Sequence, residues 1–159
     1  MSQSRCQMLV AFNCHLTSDI WEKEMITLTV VTPERKVFEA NVDSVEVPGL
    51  DGELGILPGH TELVSKLKPA GLLTYHIGDE KGVMVISDGF VEVSPERVTV
   101  LADRANRPED IDLTSALAKK EEAEKLLQKA MSDSEIDINE VMADLDRANL
   151  EAQLAESHK

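Results

Sequence analysis

Val47-Pro48-Gly49-Leu50-Asp51-Gly52-Glu53-Leu54-Gly55-Ile56-Leu57-Pro58-Gly59-His60-Thr61-Glu62-Leu63 is the stretch on which the fold is decided. Glycine or proline recurs every few residues, and short apolar pieces (Leu54, Ile56-Leu57, Leu63) lie between them. That texture predicts short strands joined by tight turns and excludes a helix. The same stretch crowds Asp51, Glu53, His60 and Glu62 into a dozen residues, as a catalytic or metal site would.

On both sides of it the pattern is strand after strand. Ile26 to Val31 is β-branched and stops at Thr32-Pro33; Lys36 to Ala40 and Val42 to Val47 follow, with Val45 and Val47 alternating against Ser44 and Glu46. Alternation of this kind buries one face of a strand. Gly71 to Ile77 and Val83 to Ile86 are joined through Gly78-Asp79-Glu80-Lys81-Gly82. Asp88-Gly89 reads as a two-residue hairpin turn into Phe90 to Val93, and Pro95-Glu96 turns into Arg97 to Leu101. Eight to ten short strands at this spacing predict a β-sandwich or barrel over residues 25–107.

At Arg107-Pro108 the texture changes, and no glycine follows. Leu113, Ala116, Leu117, Ala123, Leu127 and Ala130 fall at helical spacing, interrupted by Lys120. Glu121 precedes Lys125 by four residues, a favourable helix pair. Ser132-Asp133-Ser134 breaks the pattern, Asp137 and Glu140 form a candidate capping box, and Ile138, Val141, Met142, Leu145, Ala148, Ala152 and Ala155 make a second stripe. Residues 108–159 therefore predict a two-helix antiparallel hairpin. Its alanine-rich faces allow close approach but bury little, so the hairpin is weakly held. Residues 1–24 read as a leader, disordered or upstream of the natural start at Met25; their apolar run Met8 to Phe12 is too short to span a bilayer.

Charge narrows the partners. The chain carries 30 acidic and 16 basic residues, a net of −14, which opposes nucleic-acid binding and direct docking on anionic lipid. Cys6, Cys14 and His15 fit no zinc spacing.

The acidic and histidine residues of the opening stretch do not assemble into known chemistry. His60 has no second histidine near it in sequence; Ser44, Ser65, Ser87 and Ser94 lie in no nucleophile elbow; no phosphate loop or dinucleotide fingerprint is present. The structural alternative is that His60 bonds a nearby carbonyl or caps a turn while the carboxylates sit on exposed turns. On this reading there is no catalytic residue, no metal site and no cofactor.

The run Val47 to His60 resembles the signature of the epsilon subunit of F-type ATP synthases. The likeness continues through Leu67-Lys68-Pro69, Asp88 to Val93, Val98 to Asp103 and a tail opening at Ile111-Asp112. The resemblance implies a flattened antiparallel β-sandwich followed by a helical hairpin. It implies a non-catalytic rotor subunit that binds the gamma subunit, rests on the polar loops of the c-ring, and sits peripherally on the cytoplasmic face of the bacterial inner membrane. Glu53, Gly55 and His60 match the interface to c-ring or gamma. The tail helices, Arg147 among their residues, would extend into the alpha/beta catalytic head and restrain ATP hydrolysis.

Three departures from the family stand out. Ser115 replaces the arginine of an ATP-binding motif at Ile111 to Ala116, residues 134–159 hold only Arg147 and Lys159 as basic residues, and Ala70 intrudes in Pro69-Ala70-Gly71. ATP binding is therefore not expected, and inhibition by the tail is expected to be weak or to use contacts other than charge pairing. The alternative reading of the chain is a free-standing β-sandwich binding module with a helical interaction tail.

Overall fold

A computed structural model describes residues 24–131 and 136–157. The predicted leader up to residue 23, with Cys6, Cys14 and His15, and the break at Ser132-Asp133-Ser134 lie outside the described residues.

Ten strands build two five-stranded sheets: β1 (Ile26–Val31), β2 (Lys36–Val42), β3 (Ser44–Gly49), β4 (Gly52–Ile56), β5 (Leu63–Lys66), β6 (Gly71–Ile77), β7 (Glu80–Ser87), β8 (Phe90–Val93), β9 (Arg97–Leu101) and β10 (Arg104–Asn106). One sheet has the order β2-β1-β9-β8-β5, the other β10-β7-β6-β3-β4. All pairs are antiparallel except β1 with β9, which run parallel from Thr27 beside Arg97 to Val31 beside Leu101.

The inner faces supply one core: Ile26, Leu28, Val30, Val91, Val93, Val98 and Val100 from the first sheet, and Val45, Val47, Ile56, Leu73, Met84 and Ile86 from the second. These are the alternating positions of each strand, so the period of two read in the sequence is the period of burial. With so few aromatics, the layer is filled by branched aliphatic side chains. Phe38 and Tyr75 pack at its margin with their rings tilted by 37° and their centroids 4.6 Å apart, and burial pushes the Tyr75 hydroxyl above its usual range.

Two turns differ from the sequence expectation. Gly78 to Gly82 is not a five-residue connection: Ile77 pairs with Glu80, so the turn is tight and Lys81 and Gly82 already belong to β7. Asp88-Gly89 does not close a hairpin. It carries the chain from β7 in one sheet to β8 in the other. The backbone angles are those the dipeptide suggests, with φ 49° at Asp88 and 105° at Gly89, but its hydrogen bonds go elsewhere. Asp88 N–H donates to Lys68 O and Leu67 N–H donates to Gly89 O, so the turn clasps the β5–β6 connection.

After β10 a 3-10 turn at Pro108–Asp110 leads to α1 (Leu113–Ala130), and α2 (Ile138–Ser157) returns antiparallel to it. Asp112 caps α1, its carboxylate accepting from Ser115 N–H at 3.0 Å. Asp137 Oδ1 accepts from Asn139 N–H at the start of α2. Lys125 donates to Glu121 at 2.6 Å, as the four-residue spacing predicts, and holds that carboxyl below its usual range. The seam is narrower than the stripes. Ala116, Ala123 and Ala130, seven residues apart, are buried against Val141, Ala148 and Ala152, while Leu117, Ile138 and Met142 face outward. Small residues at heptad spacing choose the contact face, and a residue one position away points about 100° off it.

Candidate functional site

The opening stretch becomes β3, β4 and the connection to β5. β4 is the last strand of its sheet, paired only with β3, from Gly49 beside Gly52 to Val45 beside Ile56. Leu54 and Ile56 turn toward the core and leave Glu53 and Gly55 on the outer face, both exposed. Alternate residues of a strand lie about 7 Å apart on one face, so Glu53 and Gly55 form one short surface.

His60 does not join them. It lies beyond the far end of β4, in a turn where its N–H donates to Leu57 O and Gly59 N–H donates to Pro95 O. Its Nδ1 donates to Thr61 O at 2.8 Å. Three residues of strand, roughly 10 Å, separate Glu53 from Ile56, where that loop begins. The histidine therefore fastens a turn next to the β8–β9 connection. Asp51 sits in the β3–β4 turn at the opposite end. Among the described residues no three His, Cys, Asp or Glu side chains are placed to share a cation. What crowds together in the sequence is drawn apart along a strand.

The tail residues have definite places. Ser115 is in the first turn of α1, and its backbone N–H is taken by the Asp112 carboxylate. Arg147 lies on α2, its Nη2 2.8 Å from Asp144 Oδ1. Asp144 and Arg147 line a groove between α2 and the loops carrying Pro69, Asp88 and Asp103.

α2 is the element that meets the sandwich. It packs on β7, β6 and the Pro108–Asp110 turn, and α1 packs on α2. Val85 is buried but stands outside the inter-sheet core, on the outward face of β7 that α2 covers. Arg107, just after β10, lies over the Phe38 ring at 5.3 Å and donates to Val37 O. Glu151 is the residue sequence reasoning missed. It is 3% exposed, its Oε1 accepts from Asn106 Nδ2 at 2.8 Å, and its Oε2 is 3.7 Å from Lys119 Nζ. The signal was present: Glu151 follows Ala148 by three residues and precedes Ala155 by four, inside the apolar stripe.

The sandwich and the hairpin together are similar to known proteins. The family model described as "ATP synthase, Delta/Epsilon chain, beta-sandwich domain" matches residues 25–108. An ATP synthase epsilon chain of Dehalococcoides mccartyi is 42% identical over 137 residues, covering 84% of this chain and 94% of that one. One from Halalkalibacterium halodurans is 45% identical over 121 residues, covering 76% and 90%. Among solved structures, a chain of the Euglena gracilis mitochondrial ATP synthase (OSCP/F1/c-ring, by cryo-EM) superposes with a TM-score of 0.69. It is 28% identical, and 82% of each chain is covered.

Proposed function

The chain belongs to the epsilon chains of the ATP synthase delta/epsilon family, and on that premise we propose that it is a non-catalytic central-stalk subunit that links gamma to the c-ring. The observation that carries this reading is the length of the likeness. A match of 137 residues exceeds the 108 residues up to the end of the sandwich, so it runs into the hairpin.

In this reading the β4 face with Glu53 and Gly55 meets the polar loops of the ring, and His60 makes a separate contact at the far end of the strand. Three features support β4 as the contact. It is a sheet edge, its outer face is open, and a Cβ added at Gly55 would meet nothing within 4 Å. The fold does not need glycine there, so a bulky residue would obstruct a partner without disturbing the sandwich. The hairpin restrains ATP hydrolysis when it leaves the sandwich and reaches the alpha/beta head. Attachment to the cytoplasmic face of the bacterial inner membrane then comes through the complex. Among the described residues no helix is long and apolar enough to cross a membrane.

The test is co-purification of the tagged full chain with its partners from gently extracted membranes. The expected result is recovery of gamma and the ring with the unaltered chain. Glu53→Lys and Gly55→Arg should lose the ring, keep gamma and leave the melting temperature of the free chain unchanged. Full retention of the ring by both variants would remove β4 from the interface, and recovery of no rotor component would end the reading.

A further inference from the structure

Among the described residues Glu151 is the only buried side chain that carries a charge. It stands where three elements meet: it belongs to α2, it takes a hydrogen bond from Asn106 at the end of β10, and it faces Lys119 of α1. We propose that Glu151 is a release device. It keeps the docking of the hairpin on the sandwich conditional on two polar partners, so that the docked state is only marginally favoured and both helices leave together.

The argument is one of compensation. A carboxylate taken out of water needs a full set of partners, and a buried charge with an incomplete set is worse than an apolar side chain of the same size. Glu151 has one hydrogen bond of normal length, from Asn106. Lys119 stops at 3.7 Å, beyond hydrogen-bond reach, and 60% of its side chain is exposed. Undocking returns the carboxylate to water and so recovers much of what burial removed. Because α1 reaches the sandwich through α2, loss of the α2 contact releases both helices.

This predicts opposite effects at the two partner positions, which an ordinary structural contact would not produce. Asn106→Ala leaves the buried carboxylate without its hydrogen bond and should loosen the hairpin. Glu151→Leu removes the charge, fills the same space and should tighten it. The role of this device in regulating hydrolysis rests on the tail reading above. The docking equilibrium does not, and an experiment on the free chain tests it alone.

The measurement is amide hydrogen exchange of the full chain, with the strands of the sandwich as an internal control of folding. Expected are about tenfold faster exchange through both α1 and α2 in Asn106→Ala, slower exchange in both helices in Glu151→Leu, and unchanged strands in each. Faster helix exchange in Glu151→Leu, a response confined to one helix, or faster exchange in the strands would each overturn the proposal.

Discussion

Gly89 shows what one residue can decide. Its φ of 105° lies in the region that side chains avoid, and a Cβ there would overlap the carbonyl oxygen of Leu101 and come within 2.9 Å of Ala102 Cα. Backbone at the end of β9 would have to move, together with the bonds by which Asp88 and Gly89 hold Leu67 and Lys68. Gly89→Ala should therefore cost about 3 kcal/mol of stability, the scale of a strained backbone position with no room to relax. Denaturant unfolding followed by circular dichroism checks it, and a loss below about 1 kcal/mol would contradict the geometry. The need for positive φ at this dipeptide was legible in the sequence. Its use was not, because Asp-Gly specifies dihedral angles and not which strand the chain meets next. His60 is similar: its carbonyl bond could be anticipated from the isolated histidine, whereas its separation from Glu53 follows only from β4 running straight between them.

At the scale of elements, strand positions were legible because burial alternates with sequence, as at Val45 and Val47. The parallel pairing of β1 with β9 was not, since it joins segments seventy residues apart and leaves no local mark. The helices were legible by period, but their contact faces were not. Leu117 and Met142 outweigh alanine on any hydrophobicity scale and yet lie outside the seam, because Ala116, Ala123 and Ala130 let the helices approach. Glu151 was passed over because a charge is ordinarily assigned to the solvated face. One cap invites a test. Asp112 closes the first turn of α1 through Ser115 N–H, and a lost aspartate cap costs a helix about 1 kcal/mol. In Asp112→Ala the first turn of α1 should exchange its amides about fivefold faster while the end of α1 at Ala130 is unchanged. Uniform exchange along α1 in the variant would show that packing on α2, and not the cap, holds its start.

For the whole molecule the question is what the tail contributes when it is away from the sandwich. The core is closed by residues between Ile26 and Ala105, none of them from the helices, so a chain ending at residue 108 retains its packed interior. An extended tail that restrains the head by charge needs cations to present. Residues 134–159 hold two, Arg147 and Lys159. Arg147 is committed: its guanidinium lies 2.8 Å from Asp144 and its side chain is 21% exposed. With 14 acidic against 6 basic residues over 109–159, an acidic surface would repel the tail as a whole, and like charges brought together oppose association. Apolar contact through outward residues such as Met142 remains, and its reach is limited by how few such residues there are. Removal of residues 109–159 should therefore raise ATP hydrolysis by the assembled head less than tenfold, and the free full chain should bind ATP more weakly than millimolar by calorimetry, since Ser115 offers no cation to phosphate. A tenfold or greater rise on truncation would mean that the tail holds the head through contacts other than charge pairing, and would place the outward apolar residues of α2 at that interface.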